Sequence, residues 1–111
     1  MSECIFCRIA AGDIPATVVR RTPDALAFRD LHPQAPTHVL VIPVRHTDSA
    51  ATADPATLAG VLSLAADVAR DLGLEGSGYR LVTNVGRDGG QSVGHFHVHL
   101  LGGRALQWPP G

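Results

Sequence analysis

Apolar and polar residues along this chain follow two different periods, and the longer one predicts a helix. Between residues 55 and 72 the apolar side chains recur at i, i+3, i+4 and i+7, at Leu58, Val61, Leu62, Ala65, Val68, Ala69 and Leu72. This spacing is typical of an amphipathic helix. Asp54 stands at the N-cap position, Pro55 at the first helical position and Gly73 just past the end. We therefore predict a long helix over 55–72.

Shorter apolar segments predict a sheet around this helix. The segments that favour strands are 18–21, 25–30, 38–42, 79–85 and the histidine-containing segment that begins at residue 95. The third is almost wholly apolar, as a central strand would be, and Pro43 is expected to end it. The remaining predictions are a short helix over 4–11 that ends at Gly12, a hairpin turn at 22–24, a loop over 31–37, a tight turn at 86–90 and an irregular tail over 104–111. We predict an α+β fold, an antiparallel sheet covered by one long helix.

The most informative segment is His95-Phe96-His97-Val98-His99-Leu100-Leu101. Successive side chains of a strand point to opposite faces, so the three histidines share one face and the apolar residues take the other. The outer two rings would lie roughly 13 Å apart on a straight strand. Such a row suggests a metal site, a nucleophile or an anion site. The alternative is a surface strand whose polar face happens to be rich in histidine.

Phosphate chemistry suits this row better than a metal does. Ligands of a zinc ion converge on one point, whereas neighbouring histidines of a straight strand lie roughly 6.6 Å apart at the backbone. A neutral imidazole, with an ordinary pKa of about 6.5, is a nucleophile near pH 7. A neighbouring imidazole can hold phosphate oxygens or deliver a proton.

Composition narrows the class of protein. The chain has 111 residues, 45% of them hydrophobic and 17% charged, with a net charge of −1. We expect a single domain spanning 1–111, and we expect neither nucleic acid nor membrane as a partner, because basic clusters and long apolar runs are absent. Met1-Ser2-Glu3-Cys4 does not open a signal peptide. A cytoplasmic protein is the expectation, and its small core makes self-association plausible.

The only two cysteines form Cys4-Ile5-Phe6-Cys7. A CxxC pair in a reducing compartment is a metal or redox candidate. A thioredoxin-like pair would follow a strand, and three residues leave no room for one, so zinc is the better functional interpretation and needs two more ligands. His46 is a candidate third ligand. The alternative is two small apolar residues on an N-terminal helix.

Other polar residues stand at ends of predicted strands, and each has a structural alternative. Gly89-Gly90-Gln91-Ser92-Val93-Gly94 precedes the histidine row and could cradle an anion through backbone N–H groups, with Ser92 adding a hydroxyl; many such segments are only turns. Asn84 could aim its amide at the same site or cap its strand. Asp30 could accept hydrogen bonds from ribose hydroxyls or form a turn, and His38 could support a triad imidazole or be structural.

These residues together resemble the histidine triad (HIT) superfamily. The histidine row matches its His-φ-His-φ-His-φ-φ signature, where φ is apolar. The match extends over nearly the whole chain, through Cys4-Ile5-Phe6-Cys7, Ala27-Phe28-Arg29-Asp30, Pro33-Gln34-Ala35-Pro36-Thr37-His38, Val41-Ile42-Pro43, Gly89-Gly90-Gln91-Ser92-Val93 and Trp108-Pro109-Pro110-Gly111. The set looks like the Hint branch, the purine nucleoside phosphoramidases.

The resemblance implies a HIT-like fold with a five-stranded antiparallel sheet, one long helix and a short N-terminal helix. It also implies a homodimer in which two such sheets join into one of ten strands. The implied activity is hydrolysis of a purine nucleoside 5′-phosphoramidate, such as adenosine 5′-monophosphoramidate, through a covalent nucleotidyl-histidine. No cofactor is required for that chemistry.

The resemblance also implies roles by position. His97 would be the nucleophile on the α-phosphorus, His99 would hold phosphate oxygens, and Ser92 would help the leaving group depart. The nucleotide-binding set would comprise these three residues together with Asp30, Phe28, Leu31, Asn84, Gly90, Gln91 and Val93. In that set Asp30 would bind the ribose hydroxyls, and Phe28 and Leu31 would line the base pocket.

Three further expectations come from the same resemblance. His38 and His95 would orient and tune the row, and Trp108 would reach towards the partner subunit's site. Some relatives carry a structural zinc, and the matching ligands are Cys4, Cys7, His46 and His95. Gly94 departs from the pattern, since many relatives have an aromatic residue there, and this puts the wall of the site and the leaving-group preference in question.

Two other functions remain open from the sequence. One is a dinucleoside polyphosphate hydrolase or nucleotidyl transferase of another HIT branch. Trp108-Pro109-Pro110-Gly111 and Gly102-Gly103 favour the Hint branch over it. The other is a nucleotide-binding or zinc-stabilised scaffold without catalysis, against which the presence of every candidate catalytic residue counts.

Overall fold

The computed structural model describes residues 3–111, and it contains two helices and five strands. In chain order these are α1 Ile5–Ala10, β1 Val18–Arg21, β2 Ala25–Arg29, β3 Thr37–Pro43, α2 Pro55–Asp71, β4 Tyr79–Val82 and β5 Val98–Gly102. The predicted α+β class, with one antiparallel sheet, a long helix and a short N-terminal helix, is confirmed. Met1 and Ser2, which open the segment predicted not to be a signal peptide, lie outside the described residues.

The five strands form a sheet in the order β1-β2-β3-β5-β4, and every neighbouring pair is antiparallel. β3 lies at the centre, as its apolar sequence predicts. Its residues from His38 to Pro43 are all buried. Leu40 of β3 lies directly opposite His99 of β5, so the two side chains share one face of the sheet. His38, two residues from Leu40, is therefore a diagonal neighbour of His99.

Each face of the sheet buries an apolar cluster under a different helix. Under α2 the buried side chains are Ala25, Ala27, Val39, Val41, Val61, Leu64, Ala65, Val68, Ala69, Leu74, Phe96, Val98 and Leu100. The opposite face, under α1, buries a smaller set, Phe6, Ala10, Leu26, Phe28, Leu40 and Ile42. The smaller cluster leaves space on that face for the histidine side chains.

Both ends of α2 follow the predicted capping. The Asp54 carboxylate accepts a hydrogen bond from the Thr57 amide at 2.7 Å, and Pro55 occupies the first turn. The helix ends at Asp71, one residue earlier than predicted, with Leu72 as C-cap and Gly73 at a φ of +76°. No helix within residues 3–111 is both long and apolar enough to span a membrane.

The structure corrects several predicted strand boundaries. β2 ends at Arg29 instead of residue 30, and β3 begins at Thr37 instead of residue 38. β3 includes Pro43, β4 ends at Val82 instead of residue 85, and β5 begins at Val98 instead of residue 95. The shortening of β4 and β5 has one cause, because residues just before β5 make hydrogen bonds that are not part of the strand pairing. The amide of Phe96 donates to the carbonyl of Thr47 at 2.7 Å, and the hydroxyl of Thr83 donates to the carbonyl of His97 at 2.8 Å.

Candidate functional site

The three histidines of the row keep their common face although only His99 belongs to β5. Their alternating neighbours Phe96, Val98 and Leu100 are buried in the cluster under α2. The side of the sheet that carries α1 receives the imidazoles. His95 is fully buried, His97 is 4% exposed, and the ring centroids of His97 and His99 lie 5.1 Å apart. These two rings thus lie closer together than the roughly 6.6 Å that separates alternate residues of a straight strand.

A Cys/His cluster forms where α1 meets the end of β3, and it consists of Cys4, Cys7, His46 and His95. Their ligand atoms all lie within 4.8 Å of one another. The Sγ–Nδ1 distances are 3.3 Å from Cys4 to His95, 3.2 Å from Cys7 to His46 and 3.5 Å from Cys7 to His95. A tetrahedral zinc ion with Zn–S of about 2.3 Å and Zn–N of about 2.0–2.1 Å separates such ligands by about 3.5 Å. The four side chains therefore fit zinc in both number and spacing.

The protons of the two histidines in this cluster also suit a metal. Nε2 of His95 lies 2.9 Å from the carbonyl oxygen of Pro43, and Nε2 of His46 lies 3.0 Å from a carboxylate oxygen of Asp48. Both oxygens only accept hydrogen bonds, so we assign the ring protons to Nε2. Each Nδ1 then keeps its lone pair and faces the cysteine sulfurs. Orientation of metal-binding imidazoles by a carboxylate or carbonyl is a regular feature of zinc sites.

The Cys4 thiol is shifted towards the thiolate that a metal requires. Burial acts to raise its pKa, but the hydrogen bonds that its sulfur makes with the backbone and side chain of Cys7 are the main contributions that outweigh burial and leave the pKa below its ordinary value. The Asp48 hydrogen bond raises the pKa of His46. Burial lowers the pKa of His95, which favours the neutral ring that binds metals.

The imidazole of His97 has a fixed tautomer. Its Nδ1 lies 2.7 Å from the backbone carbonyl oxygen of His95, which can only accept, so Nδ1 carries the proton. Nε2 therefore keeps a lone pair. The ring edge contacts Phe6, with centroids 5.1 Å apart. A buried, oriented imidazole with an unprotonated Nε2 is suited to act as a nucleophile.

His99 takes the opposite tautomer because of its partner His38. The Gln34 amide donates to Nδ1 of His38 at 3.0 Å, so the His38 proton lies on Nε2, which is 2.9 Å from Nδ1 of His99. His99 must then carry its own proton on Nε2. Burial, with smaller contributions from His97 and His38, lowers the pKa of His99 to about 4. At neutral pH this ring is therefore a neutral hydrogen-bond donor.

Asp30 completes this group at the end of β2. One of its oxygens lies 3.4 Å from Nε2 of His38, and the other accepts the His32 amide at 2.7 Å, which is the turn-forming alternative. Burial lowers the pKa of His38, although the charge of Asp30 acts to raise it. Asp30, His38 and His99 also lie close enough to hold a metal. Since Nε2 of His38 carries a proton in this arrangement, the group is less suited to metal than the Cys/His cluster is.

The residues expected at the base pocket differ sharply in burial. Phe28 is 4% exposed and packs edge-to-face on Phe6, with centroids 5.7 Å apart. Leu31 is 84% exposed in the loop that follows β2. The structure thus brings Phe28 to the imidazoles through Phe6, whereas Leu31 stands at the surface.

The glycine-rich segment is braced mainly by its own side chains. The Gln91 amide nitrogen donates to the carbonyls of Asp48 and Val93 at 2.7 and 3.0 Å, and its oxygen accepts the Gly86 amide at 3.0 Å. Asn84 donates to the Gly89 carbonyl at 2.6 Å, so its amide braces the turn that follows β4. Ser92 is exposed, as its predicted contact with a leaving group requires.

Two positions of this segment require glycine for physical reasons. A Cβ on Gly89 would overlap with the backbone of Val85, and Gly90 has a φ of +78°, a conformation that favours glycine. Gly94, by contrast, faces open space, so a side chain would fit there.

The C-terminal tail and a separate cavity lie outside this group of residues. Trp108 is 81% exposed, and Arg80 of β4 holds the tail by donating to the Gln107 carbonyl at 2.8 Å. A cavity of about 590 Å³ opens between the β1–β2 turn and the first turns of α2. None of the predicted site residues lines it.

Sequence reasoning missed the groups that orient the imidazoles. Phe6 is an apolar residue whose sequence position does not connect it with the histidines, and the backbone groups of Gln34, Pro43 and His95 carry no side-chain signal. Asp48 could have been suspected, because it stands two residues after His46. The site contains one imidazole with a lone pair on Nε2 (His97), one with a proton on Nε2 (His99), and the Asp30 carboxylate, and this combination can bind and attack an electrophilic anion.

Comparison with known proteins agrees with these observations. A family model described as the HIT domain matches residues 11–106. An uncharacterized HIT-like protein of Synechocystis sp. is 48% identical over 112 residues, covering 98% of this chain and 97% of that protein. A 14 kDa zinc-binding protein of Zea mays is 48% identical over 115 residues, covering 99% and 89%.

A solved structure shares both fold and sequence. The HIT family hydrolase from Legionella pneumophila superposes with a TM-score of 0.95 at 51% identity, covering 98% of this chain and all of that one. Its fold supports the sheet order and the helices described above. Since a family model covers most of the chain and the relatives match it almost end to end, the chain belongs to the HIT domain family.

Proposed function

We propose that this protein hydrolyses purine nucleoside 5′-phosphoramidates, of the adenosine 5′-monophosphoramidate type, through a covalent nucleotidyl intermediate on His97. One observation carries the proposal: Nδ1–H of His97 donates to the His95 carbonyl at 2.7 Å, which leaves the Nε2 lone pair for attack. The Legionella relative is described as a hydrolase, which supports a hydrolytic reaction of this class.

The nucleotide would lie along the face that carries the imidazoles. Asp30 at the end of β2 would accept hydrogen bonds from the ribose hydroxyls, next to His38. Phe28 would support the base from beneath, with Leu31 covering it from the loop. The segment from Gly90 to Val93 would lie beside the phosphate. The amides of Gly90 and Gln91 donate within the turn, to the carbonyls of Arg87 and Gly86 at 3.1 and 3.0 Å, so these two residues would act by shaping the turn and the backbone N–H of Val93 would face the phosphate. Asn84 would act mainly by fixing that turn.

The reaction would proceed by two displacements at phosphorus. Nε2 of His97 attacks the α-phosphorus, a P–N bond forms to the ring, and the bond to the amine breaks. The Ser92 hydroxyl relays a proton from solvent to the departing nitrogen, which leaves as the neutral amine. Water then attacks the same phosphorus and releases a proton to solvent, the bond to His97 breaks, and the nucleoside monophosphate leaves. Two smaller barriers replace one large barrier.

His99 would stabilise the charge on the phosphate throughout. Because His38 occupies its Nδ1, the Nε2–H of His99 is available to donate to a phosphate oxygen. Because this donor is already in place and neutral, the protein needs little rearrangement as negative charge develops on the phosphate oxygens in the transition state. The chemistry requires no metal for either displacement.

Zinc would be structural in this protein, held by Cys4, Cys7, His46 and His95. A bound zinc ion would cross-link the three segments that carry these ligands, namely α1, the loop after β3 and the segment before β5. The maize relative, described as a zinc-binding protein, supports this assignment.

The first test is mass spectrometry after mixing the protein with adenosine 5′-phosphoramidate. We expect a nucleotidyl adduct on His97 and steady release of adenosine monophosphate. His97→Ala should abolish both, whereas Arg70→Gln, on the exposed side of α2, should leave both unchanged. Full turnover by His97→Ala would contradict the proposal. Faster turnover of a diadenosine polyphosphate would assign the chain to another branch of the family.

A further inference from the structure

The short helix α1 links the Cys/His cluster to the imidazole of His97. Cys4 and Cys7 lie at its start, and Phe6 stands between them. The Phe6 ring contacts three other rings edge-on, with centroid distances of 5.1 Å to His97, 5.9 Å to His95 and 5.7 Å to Phe28. Whatever holds the two cysteines in place therefore also holds an aromatic ring against His97.

His95 provides a second link between the same two places. Its ring belongs to the Cys/His cluster, and its backbone carbonyl accepts the Nδ1–H of His97. This residue lies before β5, so no strand pairing fixes its backbone. The structure restrains it further by complete burial, by its ring bond to Pro43 and by the neighbouring amide bond from Phe96 to Thr47.

We propose that the Cys/His cluster, when it holds zinc, is a positioning site for His97, acting through the carbonyl of His95 and the ring of Phe6. The proposal rests on the proposed function, in which His97 is the nucleophile. It assigns Cys4, Cys7 and His46 a role in the reaction although none of them touches the substrate. Metal content would then set the fraction of molecules with a correctly oriented nucleophile.

The length of α1 explains why a metal would be needed. Six residues are far below the length at which a helix is stable by itself, so its position depends on what it is tied to. Within the described residues its apolar anchors are few, with only Phe6 and Ala10 buried. His46 is exposed on a loop that has no helix or strand of its own. Two of the three segments that carry the four ligands, α1 and the loop of His46, therefore have few other anchors, and a bound metal would tie both to the buried His95.

The test compares the His97 ring with and without zinc by nitrogen-15 NMR, which distinguishes the two imidazole tautomers. In protein saturated with zinc we expect a single Nδ1–H tautomer. Removal of zinc with a chelator, or the variant His46→Ala, should give averaged signals from both tautomers and lower kcat by about 10- to 100-fold. KM should change less than kcat, because Asp30, which follows β2, pairs with His38 and belongs to a separate group from the cluster.

A conservative variant separates positioning from a general effect on folding. His46→Cys creates a three-cysteine, one-histidine set, which also binds zinc tetrahedrally, and it should restore both the single tautomer and kcat. Arg70→Gln is the control and should match the wild type. An unchanged His97 spectrum after zinc removal, or failure of His46→Cys to restore it despite bound zinc, would overturn the proposal. So would complete unfolding of the stripped chain, since zinc would then hold the fold as a whole.

The NMR result is independent of the proposed function. If zinc-saturated wild type formed no adduct on His97, the proposed function would fail even though the tautomer responded to zinc. If the adduct formed equally with and without zinc and the tautomer never changed, only the positioning role would fail.

Discussion

His97 and His99 are chemically distinct although they stand two residues apart on the same face. A carbonyl oxygen fixes the proton of His97 on Nδ1, whereas an imidazole donor fixes the proton of His99 on Nε2. One ring therefore presents a lone pair and the other a proton. The alternation of histidines with apolar residues predicts the shared face, but it carries no information about which nitrogen holds the proton.

The low pKa of His99 predicts a dependence of stability on pH. Burial lowers the pKa to about 4 in the folded protein, whereas an unfolded histidine has a pKa of about 6.5. Between these values the unfolded chain binds more protons, so stability falls as the pH falls. The contribution of His99 is complete above about pH 6.5 and is lost progressively towards pH 4. The groups that face it are His97, His38 and Asp30.

Urea unfolding at several pH values from 4.5 to 7.5 checks this prediction. His99→Asn should lose less stability over that range than the wild type does. His32→Asn, at an exposed loop position, is the control and should follow the wild type. Parallel curves for wild type and His99→Asn would contradict the assigned pKa.

At the scale of elements, the irregular segment between β4 and β5 carries three residues of the site, Ser92, His95 and His97. The strand pattern of residues 79–85 and the histidine row predicts long strands, and the structure shortens both. The predictions fail because Thr83 and Phe96 direct hydrogen bonds to His97 and to the loop after β3. The alternation of apolar and polar residues within one segment cannot predict such hydrogen bonds, since each joins segments that are distant in the sequence.

Two glycine substitutions should have opposite effects on stability. Gly60 lies inside α2, exposed and with open space around it, so Gly60→Ala should raise the free energy of unfolding by about 0.5–1 kcal/mol. Gly89→Ala should lower it by about 1–3 kcal/mol, because the added methyl group overlaps with the Val85 backbone. Urea unfolding at pH 7.5 measures both changes.

The same pair of variants separates stability from function. Gly60→Ala should keep full turnover, and Gly89→Ala should reduce it, since the displaced turn leads directly into Ser92. A stabilised Gly89→Ala would show that the turn can shift without cost, contrary to this account.

At the scale of the whole molecule, the sheet ends in a strand that is suited to pair with another copy. β4 is an outer strand, Tyr79 is 36% exposed, and Trp108 extends into solvent from the tail that Arg80 holds beside it. Exposed sheet edges readily accept a further strand. We propose a homodimer in which two copies of β4 meet, forming one sheet of ten strands and bringing each tail towards the partner.

Light scattering after size-exclusion chromatography tests the dimer. One chain has a mass of 11.6 kDa, so we expect about twice that value. Tyr79→Lys would place like charges at the joined edge and should shift the protein towards the monomer. Arg70→Gln, away from that edge, should remain dimeric. A monomeric mass for the wild type at all concentrations would exclude this assembly.

The sequence predicted the larger elements well because their signals are local. The period and caps of α2, the apolar run of β3 and the alternation around His97 each lie within one segment, and the structure contains each of them. The single domain over 1–111, the cytoplasmic location and the individual site roles stay predictions. Family membership followed from motifs distributed over the chain, which the comparisons support.

The sequence by itself determined which residues could do chemistry, and the tertiary structure decided which of them meet. Cys4 and His95 are 91 positions apart, and His38 and His99 are 61 apart. Their contacts arise because β3 and β5 pair at the centre of the sheet and α1 packs beside them. The periodicity of side chains indicates which face of a helix or strand a residue occupies. The tautomer of a histidine and the assembly of a metal site depend instead on the atoms that contact the side chain. Those atoms come from other segments, and only the folded chain brings them together.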